Sequence, residues 1–160
     1  MILGFKQYFP WHTDKNPAPT NFREKIIERF YEDQPNPIIW TPKIHTFRED
    51  PHNRWKAGMK VSMVYRGAGY KILDWFNEKI PELGTIKSIQ KIKIEWVPFT
   101  VAGKSFDAID LTIDGGKSLR NDQIMILAAN DGFNSIEDFK RWFKKDWEGK
   151  ILHFTDFRYE

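Results

Sequence analysis

The 160-residue chain has no cysteine, which excludes disulfide frameworks, thiol nucleophiles and cysteine–zinc sites together. No apolar run approaches the ~18 residues that a membrane-spanning helix needs. The start, Met1-Ile2-Leu3-Gly4-Phe5-Lys6, offers neither a basic segment nor a long apolar stretch, so no signal peptide is expected. A soluble domain in the cytoplasm is the expectation. Charge of one sign is also scarce: 25 Lys and Arg against 22 Asp and Glu give +3, too little by itself to argue for nucleic acid. What is plentiful is aromatic. Seven Trp, five Tyr and thirteen Phe make up 16% of the residues, and disordered chains are poor in such side chains. At this length one domain, 1–160, is expected, with a core of its own.

Ile2 to Phe9 reads as a strand closed by Pro10. Asn21 followed by Glu24 resembles a capping box, and Phe22, Ile26, Ile27 and Phe30 form one helical stripe. Gln34-Pro35-Asn36-Pro37 breaks that helix. Ile38-Ile39-Trp40 is a short apolar patch. Lys43–Arg48 is a short extended segment or turn, and Glu49–Gly58 a loop. Met59–Tyr65 alternates as a strand, whereas Tyr70–Phe76 fits strand or helix. Ile86–Val97 is the strongest strand signal. Its run Ile92, Ile94, Trp96 is out of step with Ile89, which predicts a bulge near Ile89. Phe106–Ile113 alternates with Ile109, Leu111 and Ile113 inward and ends at Asp114-Gly115-Gly116. Asn121 or Asp122 can cap a helix through Ile124, Leu127 and Ala128. Ser135 with Asp138 caps a second, carrying Ile136, Phe139, Trp142 and Phe143 and ended by Gly149; Lys150–Phe157 is the last strand. Consecutive strands without intervening helices predict an α+β fold with a mostly antiparallel sheet. Many short strands suit a small closed or half-open β-barrel with flanking helices.

Phosphate-loop, dinucleotide, zinc-protease, nucleophile-elbow and calcium-loop motifs are all absent. His12, His45, His52 and His153 lack metal-ligand spacing, so neither a metal nor another cofactor is expected. The segment richest in chemistry is Lys43-Ile44-His45-Thr46-Phe47-Arg48-Glu49-Asp50, followed by Arg54-Trp55-Lys56-Ala57-Gly58. A threonine hydroxyl is a poor nucleophile unless a neighbour takes its proton. Lys43 can be that neighbour if burial or the Arg48 charge lowers its pKa toward ~7–8. Spacing sets a condition, because a regular strand puts residues three apart on opposite faces. Lys43 and Thr46 converge only if the chain after Pro42 departs from a strand. The other reading of this segment is a solvated loop with a strand-edge threonine.

The pattern Lys43-x-x-Thr46-x-Arg48-Glu49-Asp50, with Trp55-Lys56-Ala57-Gly58 leading into a strand, resembles the signature of the ASCH family, relatives of the RNA-binding PUA β-barrels. Asn130-Asp131-Gly132-Phe133-Asn134-Ser135 is similar to that family's acidic residue, Gly-Phe turn and helix cap. The resemblance implies a PUA-like barrel with a cleft that holds RNA or a modified nucleoside. Some bacterial members are similar to amidohydrolases of N4-acetylcytidine. On that pattern Lys43 would be the base, Thr46 the nucleophile and Asp131 the acid that orients the lysine or protonates the leaving amine. Here the acidic position is Asp, one methylene shorter than the family's Glu, and Thr41 stands where a glycine is usual. Arg48 would hold phosphate or a base edge, or else pair with Glu49, Asp50 or Asp131. Asp131 can alternatively just stabilise a turn between helices. Trp40 and Trp11 are candidates for stacking on a base, and His45 for lining the same cleft. Lys140, Arg141, Lys144 and Lys145 read as a solvated helix face. The oligomeric state has no signature in the sequence.

Overall fold

A computed structural model of the chain describes residues 1–28, 41–67, 69–72 and 84–160. Along these residues the elements run β1 (Ile2–Lys6), α1 (Phe22–Glu28), β2 (His45–Arg48), β3 (Ser62–Gly67), β4 (Gly69–Ile72), β5 (Ser88–Val101), β6 (Lys104–Ile113), α2 (Asn121–Asn130), α3 (Ile136–Trp142) and β7 (Trp147–His153). The fold is α+β, as expected. Trp40, the apolar patch that it closes and the chain between Ile72 and Gly84 lie outside the described residues.

The strands form two sheets. In one, the order is β1-β3-β4, with β1 and β3 parallel and β3 and β4 antiparallel. In the other, the order β2-β7-β5-β6 is antiparallel throughout, so among the described residues β2 is an edge strand and the last strand of the chain lies inside. Alternation explains the larger sheet. Ile92 and Ile94 from β5, Ile109, Leu111 and Ile113 from β6, and Ile151 from β7 are buried together. α3 adds Phe139, fully enclosed, and Phe143 follows at its end. No helix among the described residues is long and apolar enough to cross a membrane.

Three local expectations are corrected. The register of β5 against β7 runs unbroken from Ser88 to Ile94, so there is no bulge near Ile89. Gln90 keeps the inward phase instead, its buried amide bonded to Asp114 and to both backbone groups of Tyr159, while Ile89 packs half-buried on the opposite side. Gly149 does not end α3; it lies within β7, opposite Ile92. A Cβ there would sit 2.6 Å from the Arg48 carbonyl oxygen, so the close approach of β2 explains the glycine. Asn21 stands at the N-cap by its carbonyl, which accepts Lys25 N–H at 3.0 Å, but with a left-handed φ of 53° it lacks the extended backbone of the usual capping residue, and the side-chain bond comes from its neighbour. Thr20 serves there: its hydroxyl donates to Lys6 O at 2.7 Å and accepts from Phe22 N–H at 3.4 Å, joining the end of β1 to the start of α1. Ser135 does cap α3, accepting Asp138 N–H at 3.1 Å.

Candidate functional site

The site forms where three segments meet. Lys43 and Ile44 precede β2 and are not part of it. Their amides instead donate to Lys25 O, at the inner face of α1, and to Asn130 O, at the end of α2, each at 3.0 Å. This departure from strand geometry satisfies the condition that the Lys43 and Thr46 spacing imposed. The end of α2 supplies the acid. Asp131 is the C-cap residue, its N–H bonded to Leu127 O at 3.0 Å, and the chain turns at Gly132 with φ of 92°. A Cβ on Gly132 would lie 3.0 Å from the Phe22 ring and 3.1 Å from the Lys43 side chain. Glycine is therefore required both by the turn and by the packing of Lys43.

Lys43 is 1% exposed and Asp131 5%, so their ion pair is enclosed. Lys43 Nζ lies 2.6 Å from Asp131 Oδ1 and also donates to the Asp131 carbonyl oxygen. Its ammonium sits 4.7 Å from the centroid of the Phe22 ring. Carbonyl groups at a helix C-terminus lack intrahelical donors and carry partial negative charge, which suits cations. A second buried lysine uses the same feature. Lys25 Nζ donates to Gly132 O at 2.5 Å and to Asn134 Oδ1 at 2.6 Å. Burial lowers the pKa of Lys43 from 10.5 to about 8; Asp131 opposes that shift and Arg48 adds to it. Burial also lowers Lys25 to about 8, reinforced by Lys43. For Asp131 burial pushes upward, yet Lys43 and His45 together hold the carboxyl below its ordinary value.

A cleft of about 390 Å³ opens beside this pair. Lys43, Thr46, Arg48 and Asp131 all line it, so the structure brings four of the candidate residues to one cavity. Thr46 and Arg48 share one face of β2 by their spacing of two. The Arg48 guanidinium donates to Gly4 O at 2.7 Å and to Phe47 O at 3.0 Å, and lies 5.3 Å from the Phe5 ring centroid. Arg54 and Lys6 add positive charge to the lining, and Glu49 adds one carboxylate. Trp142 and Trp147 contribute aromatic walls, with Lys6 Nζ 5.2 Å from the Trp142 ring centroid.

His45 and Trp11 are placed differently from the expectation. Neither is among the described residues that line the cleft. His45 is fully buried, its ring stacked on Phe47, with Nδ1 3.6 Å from Asp131 Oδ1 and Nε2 2.7 Å from Tyr159 Oη. Burial lowers its pKa despite the nearby carboxylate. Trp11 stacks on Phe9 and carries the Arg141 guanidinium 4.4 Å from its centroid, a role in packing. Lys25, Trp142 and Trp147 are site residues that sequence reasoning missed. Lys25 left a signal, since it lies three residues after Phe22 on the buried stripe of α1, where a lysine needs a partner.

Among the described residues no group of three or more His, Asp or Glu side chains could hold a metal ion. No family model, curated protein or solved structure matches this chain.

Proposed function

We propose that this chain is an ASCH-type, PUA-like domain that binds RNA or a modified nucleoside in the cleft beside Lys43. The observation that carries the reading is one cavity lined by Lys43, Thr46, Arg48 and Asp131, with Lys6, Arg54 and three tryptophans, Trp55, Trp142 and Trp147, around them. Cations suit phosphate, a planar guanidinium suits a phosphate or base edge, and indole rings suit a stacked base. A barrel is supported by two ties between the sheets. Lys60, just before β3, pairs with Thr85, just before β5, and Arg48 of β2 reaches Gly4 of β1. Titration with single-stranded RNA at several salt concentrations tests the binding. If Lys6, Arg48 and Arg54 each meet a phosphate, log K should fall against log[salt] with a slope of about −2. No affinity for any RNA or nucleoside, or affinity that ignores salt, would count against phosphate contacts.

The enclosed Lys43–Asp131 pair beside Thr46 favours a second reading, hydrolysis of an N-acylated nucleobase such as N4-acetylcytidine. Thr46 Oγ1 would attack the acyl carbon as its proton passes to neutral Lys43. The resulting ammonium, oriented by Asp131, would return the proton to the exocyclic amine of the base as its bond to the acyl carbon breaks. Water would then release the acyl group from Thr46 as the carboxylic acid. With Lys43 at about 8, a useful fraction of the amine is neutral at ordinary pH. Incubation with N4-acetylcytidine tests it: cytidine should appear with the wild-type chain and not with Lys43→Ala or Thr46→Ala. Equal turnover in the variants removes those residues from the reaction.

A further inference from the structure

We infer that Tyr159 is a positioning residue for the Lys43–Asp131 pair, holding the buried His45 ring in the tautomer whose Nδ1 proton faces Asp131. The inference deepens the functional reading above and rests on it only for the importance of that pair. Tyr159 belongs to the short tail after β7, and its place is set by Gln90. The Gln90 side chain accepts Tyr159 N–H and donates to Tyr159 O, both at 2.9 Å, much as a neighbouring strand would. Tyr159 Oη then reaches two groups at once. Asn130 Nδ2 donates to it at 2.9 Å, and His45 Nε2 lies 2.7 Å away.

The position of each proton follows from charge. The oxygen already accepts from Asn130, so its own proton is available to His45 Nε2. On the other side of the ring, Nδ1 sits 3.6 Å from Asp131 Oδ1. A bare nitrogen lone pair turned toward a buried carboxylate would be repelled; an N–H is attracted, even at a separation longer than a hydrogen bond. Both ends thus select the same tautomer: Nε2 accepts from Tyr159 and Nδ1–H faces Asp131. The ring stays neutral because it is buried. It is faced by Asp131 from the end of α2, Lys43 from its own segment, His153 from β7 and Tyr159 from the tail. His153 is itself held neutral by burial and offers no charge to upset the choice.

One carboxylate oxygen is therefore shared between the Lys43 ammonium and the His45 N–H dipole. That sharing weakens the hold of Asp131 on the Lys43 proton and fixes where Oδ1 lies. Removing the Tyr159 hydroxyl takes away one of the two groups that select this tautomer, so a larger fraction of the rings carries the proton on Nε2. In that fraction Asp131 has, among the described residues, Lys43 alone as its donor side chain, and Lys43 binds its proton more tightly.

The test uses the full chain labelled with ¹⁵N in histidine and ¹³Cε in lysine. Two-bond ¹H–¹⁵N couplings at pH 7 should show His45 with Nδ1 protonated and Nε2 bare. In Tyr159→Phe the couplings should shift toward the other tautomer, and Lys43 should gain proton affinity several-fold, titrating at higher pH. A wild-type spectrum with Nδ1 bare overturns the inference without recourse to any variant. So does a Tyr159→Phe protein in which both the tautomer and the Lys43 titration are unchanged. Loss of packing alone would not move the His45 tautomer and the Lys43 titration in this concerted way. Neither measurement depends on a ligand, so a chain that fails to bind RNA or to cleave N4-acetylcytidine would still give these spectra.

Discussion

Lys43 Nζ and Asp131 Oδ1 lie 2.6 Å apart, from residues 88 positions distant in the chain, with almost no water access to either. A buried ion pair is weak evidence of net stabilisation, but breaking one leaves a charge without compensation. Asp131→Ala should therefore destabilise the fold by roughly 3–5 kcal/mol. Asp131→Asn should cost less, because its amide oxygen still accepts from Lys43. Chemical denaturation of both variants checks the order. Lys43 should titrate below 8 in each, since the charge that raises its pKa is gone. A Lys43→Met, Asp131→Leu double variant should recover part of the lost stability, as apolar replacement of such pairs often does.

The two buried lysines make stability depend on pH in a definite direction. Both have folded pKa values of about 8 against 10.5 in the unfolded chain. Between those values the unfolded state binds more protons than the folded state, so stability rises with pH across that window. Below pH 8 both states are protonated, and the cost of burying the charges is present in full. His153 adds an acid limb of the same sign: with a folded pKa of about 3 against 6.5, it costs stability as pH falls through that interval. Urea unfolding at pH 7, 8.5 and 10 should show a rising midpoint for the wild type. Lys25→Met should flatten the rise, and a wild-type midpoint that falls toward pH 10 would contradict the burial argument.

Gly132 separates backbone strain from crowding. Gly58 and Gly132 both have left-handed φ, at 81° and 92°, but a Cβ on Gly58 meets nothing within 4 Å, whereas on Gly132 it meets Phe22 and Lys43. Gly58→Ala should cost only the left-handed penalty, about 1–2 kcal/mol. Gly132→Ala should cost that plus the displacement of the Lys43 stem, about 1–3 kcal/mol more. Denaturation midpoints compare the two, and the Gly132 variant alone should shift the Lys43 titration.

Much of the fold was legible because one-sided burial imposes a period of two. Ile109, Leu111 and Ile113 announce β6, and the run through Ile92 and Ile94 announces β5. The order strand, helix, strands, two helices, strand could be read from such runs and from Ser135 as a cap. Gly149 misled because a glycine that ends a helix and one that lets a neighbouring strand approach look alike in one dimension. The site was half legible. Lys43, Thr46 and Arg48 are close together in sequence, so their chemistry shows there. Trp142 and Trp147 fit core stripes equally well, and exposure to a cleft leaves no periodic trace. The tie from His45 to Tyr159 spans 114 residues, and no local pattern encodes it.

Arg48 joins the two sheets as well as lining the cleft, so its replacement should report on both. Its planar fork donates to Gly4 O and Phe47 O while lying against the Phe5 ring. An ammonium cannot reproduce two fixed donors and a stacked plane together. Arg48→Lys should therefore lower stability by about 1–2 kcal/mol, the scale of one or two lost hydrogen bonds. Arg54 is an exposed residue at the same cleft. Arg54→Ala should leave the denaturation midpoint unchanged and reduce the salt slope of RNA binding by about 0.7 for one lost phosphate contact. Arg48→Lys keeps the charge, so its salt slope should stay near the wild-type value while affinity falls through lost geometry. An affinity unchanged in Arg48→Lys, with stability reduced, would make Arg48 a tie between sheets and not a ligand contact.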